Sequence, residues 1–91
     1  MTFRVRGLAP FWQSVDALDE DDPRKPEVYQ VAFRLLEDGP ALSDARAISW
    51  IWGQATVDGY SIDLPGGDGF IAYAPIPEVP DLIYLMNLVL F

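Results

Sequence analysis

The sequence predicts an α+β fold, a small single domain spanning residues 1–91 in which a short sheet packs with helices. Three observations predict it. Apolar and polar residues alternate over 2–7, the period of a half-buried strand, and 55–64 and 69–75 read as further strands set off by glycine turns. Segments 26–38, 43–53 and 81–90 carry capping signals and separate apolar from polar residues on a helical wheel. Hydrophobic residues make up 51% of the 91. That is enough for one core, although a chain of this size buries only about 60–65% of its unfolded surface.

Phe3 and Val5 fall on one side of the first segment and Arg4 and Arg6 on the other, as in a strand with one buried face. Gly7 and Pro10 loosen the chain before Phe11, Trp12, Val15 and Leu18, whose spacing suits a brief helix. Residues 16–27 are expected to form an acidic, proline-containing, solvated loop, because Asp19, Glu20, Asp21 and Asp22 repel one another and resist burial. Residues 26–38 fit two descriptions. Tyr29, Val31, Phe33 and Leu35 alternate as in a strand. Pro26 in a first turn, a stop at Gly39-Pro40 and one polar arc of Gln30, Arg34, Glu37 and Asp38 fit a helix, which is preferred.

In 43–53, Ser43 is a natural N-cap, Asp44 suits the first turn, and Gly53 is a plausible stop. A helix there gathers Ala45, Ile48, Ile51 and Trp52 toward a core. It leaves Trp50 facing outward one turn from Arg46, in reach of a cation–π contact. Phe33 and Phe70 are further core candidates. Asp58-Gly59 and Pro65-Gly66-Gly67-Asp68-Gly69 read as turns around strands 55–64 and 69–75. Pro75, Pro77 and Pro80 are expected to hold Ile76 to Val79 extended and unpaired. The apolar segment 81–90, opened by Asp81, suits a helix, with a buried strand as the alternative.

Two helices at 26–38 and 43–53 followed by a hairpin resemble the order of a winged helix-turn-helix over roughly 26–75. The resemblance implies duplex binding only if the second helix and wing carry lysine and arginine. Here that helix offers only Arg46 and the wing is acidic.

The charge balance is the most unusual total. Fourteen carboxylates against six basic residues leave a formal −8. Every basic residue lies at or before Arg46, while Asp58, Asp63, Asp68, Glu78 and Asp81 follow. Such a surface repels phosphate and attracts cationic partners. Histidine and cysteine are absent, which removes the common neutral-pH base, the soft metal ligands and the Ser-His and Cys-His nucleophile pairs. No glycine-rich phosphate loop with a lysine occurs, and the five-residue recurrence of Asp58, Asp63 and Asp68 reads as turn chemistry rather than a catalytic or Ca²⁺-binding set. Catalytic residues, metal and cofactor are therefore all expected to be none.

These features point to a non-enzymatic protein-binding module, an inhibitor or modulator of a larger complex. In composition it resembles phage-encoded anti-defence proteins such as anti-CRISPR proteins, with charge that imitates nucleic acid. The alternative is an accessory subunit of an assembly such as a virion or tail. The expected partner is a protein with a basic surface, with no direct nucleic acid and no membrane. The expected contacts are Trp50, Arg46, Trp12, Asp19, Glu20, Asp21 and Asp22, because aromatic and arginine side chains dominate interface hot spots. Self-association through Leu82–Phe91 is a further expectation. The N-terminus lacks the apolar core of a signal peptide and no apolar run is long enough to span a bilayer, so the expected address is the cytoplasm, a host's if phage-encoded.

Overall fold

Apolar residues recur at helical spacing near the N-terminus and at every second position, or continuously, from residue 46 onward. The computed structural model, which describes residues 3–91, follows that division. Its elements are β1 (Arg4–Gly7), α1 (Ala9–Asp16), α2 (Arg24–Asp38), β2 (Arg46–Trp52), β3 (Ala55–Asp63), β4 (Gly69–Ile76) and β5 (Val79–Leu90). The strands form one sheet in the order β1-β5-β4-β3-β2. β1 runs parallel to β5, and the other neighbours are antiparallel. This is a small mixed α+β domain, as expected.

Both helices cover one face of the sheet. Phe11 and Val15 of α1 and Val28, Val31 and Leu35 of α2 are almost wholly buried against Ile62, Ile71, Tyr73, Ile83 and Leu85. Asp22 sets the start of α2: its Oδ1 accepts the Arg24 backbone N–H at 2.9 Å and its Oδ2 the Arg24 guanidinium at 2.7 Å. Gly39, at φ 81°, ends the helix with its N–H donated to the Leu35 carbonyl. Segment 26–38 is thus helical, and the alternating reading of Tyr29 to Leu35 is set aside.

Four expectations are corrected. The helix expected over 43–53 is replaced by a turn at 43–44 and strand β2: Gly53, at φ 66°, opens a two-residue hairpin turn that pairs Trp52 with Ala55. The β-branched and aromatic residues of Ile48 to Trp52 then pair across β3, and pairing overrides the capping signal. Segment 81–90 belongs to β5. It lies between β1 and β4, and a strand with neighbours on both sides and burial on both faces reads as a continuous apolar run. With a strand following α2, the winged-helix order fails. Residues 16–27 are not one loop: Asp16 ends α1, and 24–27 begin α2. The strand expected over 2–7 is found over Arg4–Gly7, its first residue lying outside the described residues.

Candidate protein-binding cleft

The antiparallel ladder between β3 and β4 runs from Asp63–Phe70 to Tyr60–Tyr73 and stops. Yet β3 reaches back to Ala55 and β4 continues to Ile76. The reason lies in the register. Leu64 N–H donates to the Gly69 carbonyl at 2.9 Å, so alternate residues from Leu64 back through Ile62 and Tyr60 turn their backbone groups toward β4. Continuing that register brings Asp58 opposite Pro75, and β4 ends one residue later, with Pro77 in the turn to β5. Proline has no N–H to give, so the ladder runs out of donors there. The intervening residues of β4 face β5 instead, which is why Pro75 still aligns with Ile83 and Ile76 with Val79, across a register shift. The expectation that Ile76 to Val79 stays unpaired is corrected accordingly.

Gly59 sits at the fork. A Cβ there would collide with the Tyr73 carbonyl and come within 2.9 Å of the Trp50 ring and 3.0 Å of the Ala74 methyl. Beyond it the strands part around two cavities. A cleft of about 520 Å³ is lined by Ala47, Ser49, Asp58 and Tyr60, with Pro75 and Pro77 as the far wall. A second, of about 260 Å³, is bordered by Val57, Ala74, Ile76, Tyr84 and Met86. Asp58, Pro75 and Pro77 line both. In the larger cleft the Ser49 hydroxyl donates to Asp58 Oδ1 at 2.6 Å, which orients the carboxylate. The Tyr60 ring stacks on Tyr73 at 5.5 Å between centroids. Burial pushes the Tyr73 phenol well above its usual range, and its hydroxyl donates to the Pro40 carbonyl at 2.6 Å. Among the described residues no group of three or more acidic side chains is placed to hold a metal ion.

The side chains singled out in the sequence do not form one patch. Trp50 lies over Gly59 and Ala74, half-buried, and its Nε1–H is buried without an acceptor among the described residues. Arg46 shares its strand face but lies four residues away, about 13 Å along a strand. It pairs with Asp63 at 3.2 Å, so the expected cation–π contact is replaced by an ion pair. Trp12 belongs to the opposite edge of the sheet, packed on Gly7, Phe11 and Tyr29. In the acidic segment, Asp22 is committed to Arg24 and Glu20 to Lys25 at 3.0 Å, while Asp19 and Asp21 are exposed. Other placements also differ from expectation. Phe33 is 63% exposed and Ile51 75%, whereas the segment 82–88 fills the sheet and leaves Val89 and Phe91 as its exposed apolar residues. The cleft went unforeseen, although Pro75 and Pro77, two apart in an otherwise strand-like run, are its signal.

No protein-family model matches the sequence, and no curated protein matches it. Among solved structures, the chain is similar to one in the crystal structure of an archaeal RelE–RelB complex from Pyrococcus horikoshii OT3. The TM-score is 0.70 at 17% identity, covering 99% of this chain and 96% of that one. The likeness overturns the expected function. A protein of this fold is matched by a component of a RelE–RelB complex, not by an anti-CRISPR protein or a virion subunit, and nothing in the match supports a phage origin or nucleic-acid mimicry. No helix among the described residues is long and apolar enough to cross a membrane.

Proposed function

We propose that this chain is one member of a RelE–RelB-type pair, a toxin–antitoxin-type protein whose working contact is with a second, different protein chain. The observation that carries the reading is the end-to-end correspondence of fold, which leaves almost no part of either chain outside the match. The finer reading is recognition of protein rather than nucleic acid, through contact rather than turnover. Three facts support it. The chain has a formal charge of −8. It has no lysine or arginine after Arg46, and Arg46 is paired with Asp63. Binding a phosphate backbone calls for several such cations. With neither imidazole nor thiol in the sequence, the usual neutral-pH base and nucleophile are also missing. The partner that fits is a protein with a basic surface.

The test is co-expression with the products of the reading frames adjoining its gene, one at a time, followed by size-exclusion chromatography with light scattering. A complex of fixed stoichiometry that loosens as salt rises is expected. One member expressed without the other is expected to slow growth, and joint expression to restore it. A chain that stays alone with every such product, and has no effect on growth, would sink the proposal.

A further inference from the structure

The cleft between β3 and β4 is unusual in what it offers a ligand. Its lining supplies the Asp58 carboxylate, the Ser49 and Tyr60 hydroxyls and two proline rings, and it contains no cation. The register adds one more acceptor. Continued one alternate step past Tyr60–Tyr73, the register turns the Asp58 carbonyl toward Pro75, which has no N–H to donate. The site is thus rich in acceptors, lies across β2, β3 and the end of β4, and is bordered by the Tyr60 and proline rings. A phosphate or carboxylate is repelled there, because Asp58 has no neighbouring cation to offset it.

We infer that this cleft receives an arginine side chain of the protein partner, with Asp58 as its carboxylate. The inference rests on the reading that the partner is a protein. A guanidinium carries five N–H donors and no acceptor, is planar, and stacks on flat faces, so each of its properties has a counterpart in the slot. One edge meets the second oxygen of Asp58, another N–H group reaches the Asp58 carbonyl, and the plane lies between Tyr60 and the prolines. Lysine presents a rounder, more strongly hydrated charge with three donors and no plane, and fits less well. The volume of about 520 Å³ lies in the usual range of ligand sites. The excess of acids over bases across the chain draws a basic segment toward it.

The test uses the isotopically labelled full chain in an NMR titration with N-acetyl-arginine methylamide, beside the lysine and the uncharged citrulline analogues. Saturable shifts confined to Ser49, residues 56–60 and residues 75–78 are expected for arginine, smaller ones for lysine, and none for citrulline. Asp58→Asn keeps the acceptor for Ser49 and is expected to weaken arginine binding by about fivefold, the scale of one partly exposed ion pair. The variant Pro75→Val restores the missing donor, so it is expected to extend the ladder, raise stability and abolish the shifts. Shifts spread over the acidic surface, or equal for arginine, citrulline and Asp58→Asn, overturn the inference. The two readings separate cleanly: a partner complex with a silent titration removes the arginine slot alone. Specific arginine binding without any partner complex removes the RelE–RelB-type pairing alone.

Discussion

The Tyr73 hydroxyl donates a 2.6 Å hydrogen bond to the Pro40 carbonyl, tying the middle of the sheet to the connection that follows α2. Tyr73 is wholly buried in the core. Removing the hydroxyl in Tyr73→Phe leaves that carbonyl without its donor. We expect a loss of about 1–2 kcal/mol, read as a fall in Tm of roughly 5–15 °C for a domain of this size. Burial raises the phenol pKa in the folded state, so the neutral form is the one the fold favours. The contribution is therefore present below the unfolded value of 10.0 and is lost as pH rises above it. Stability measured from pH 8 upward is expected to fall more steeply in the parent than in Tyr73→Phe.

At the acid end the relevant pair is Asp22 and Arg24. Hydrogen bonds from the Arg24 guanidinium, and then from its backbone N–H, lower the Asp22 carboxyl from 3.8 to about 2. A depressed folded pKa stabilises above the unfolded value and loses that contribution as pH falls through the folded one. Helix α2 is thus expected to loosen between pH about 4 and about 2. Asp22→Asn should remove that part of the acid transition, and far-UV circular dichroism against pH checks it. A parent and variant with superimposable acid limbs would show that the Asp22–Arg24 pair contributes nothing.

Much of the fold was legible because some segments have one dominant environment. The strands at 55–63 and 69–76 flank the glycine turn at 65–68, although Asp58-Gly59 lies inside β3 and not in the turn expected there, and α2 separates its polar arc from its core stripe. The failures have physical causes. In 43–53, Ser43, Asp44 and Gly53 imitate helix boundaries, and only the partner strand β3 decides between a C-cap and a hairpin turn for Gly53. In β5, burial on both faces erases the alternation that marks a strand. The cleft was hidden for a related reason. Prolines read as loop punctuation when the register that puts Pro75 opposite Asp58 is unknown. The tryptophans were chosen for their chemistry, but composition does not say which edge of a sheet carries them.

The C-terminal strand separates core from surface within a few residues. Leu85 is 1% exposed and Phe91 77%. The Phe91 ring lies tilted against that of Phe70, at 6.0 Å between ring centroids. Leu85→Ala is expected to cost about 3 kcal/mol through lost burial and an unfilled cavity. Deleting Phe91 is expected to cost under about 1 kcal/mol, in line with its exposure. Urea denaturation of both variants checks the contrast. Equal losses would mean that Phe91 is covered in solution by something other than this chain.

Gly53 and Gly59 are both expected to resist substitution, for different reasons. Gly53 has φ 66° and open space where a Cβ would stand, so Gly53→Ala meets only backbone strain, about 1 kcal/mol. Gly59 has ordinary φ but no room, because the Tyr73 carbonyl, the Trp50 ring and the Ala74 methyl close over it. The carbonyl cannot rotate away without breaking the last rung of the β3–β4 ladder, at Tyr60–Tyr73. Gly59→Ala is therefore expected to cost more, about 2–3 kcal/mol, and to move the fork between the strands. Amide exchange distinguishes the two: the Gly53 variant should speed exchange only near the hairpin tip. The Gly59 variant should speed it at Tyr60 and Ile62 as well. If both variants exchange alike, the strands are held apart by the prolines alone and Gly59 is not part of the device.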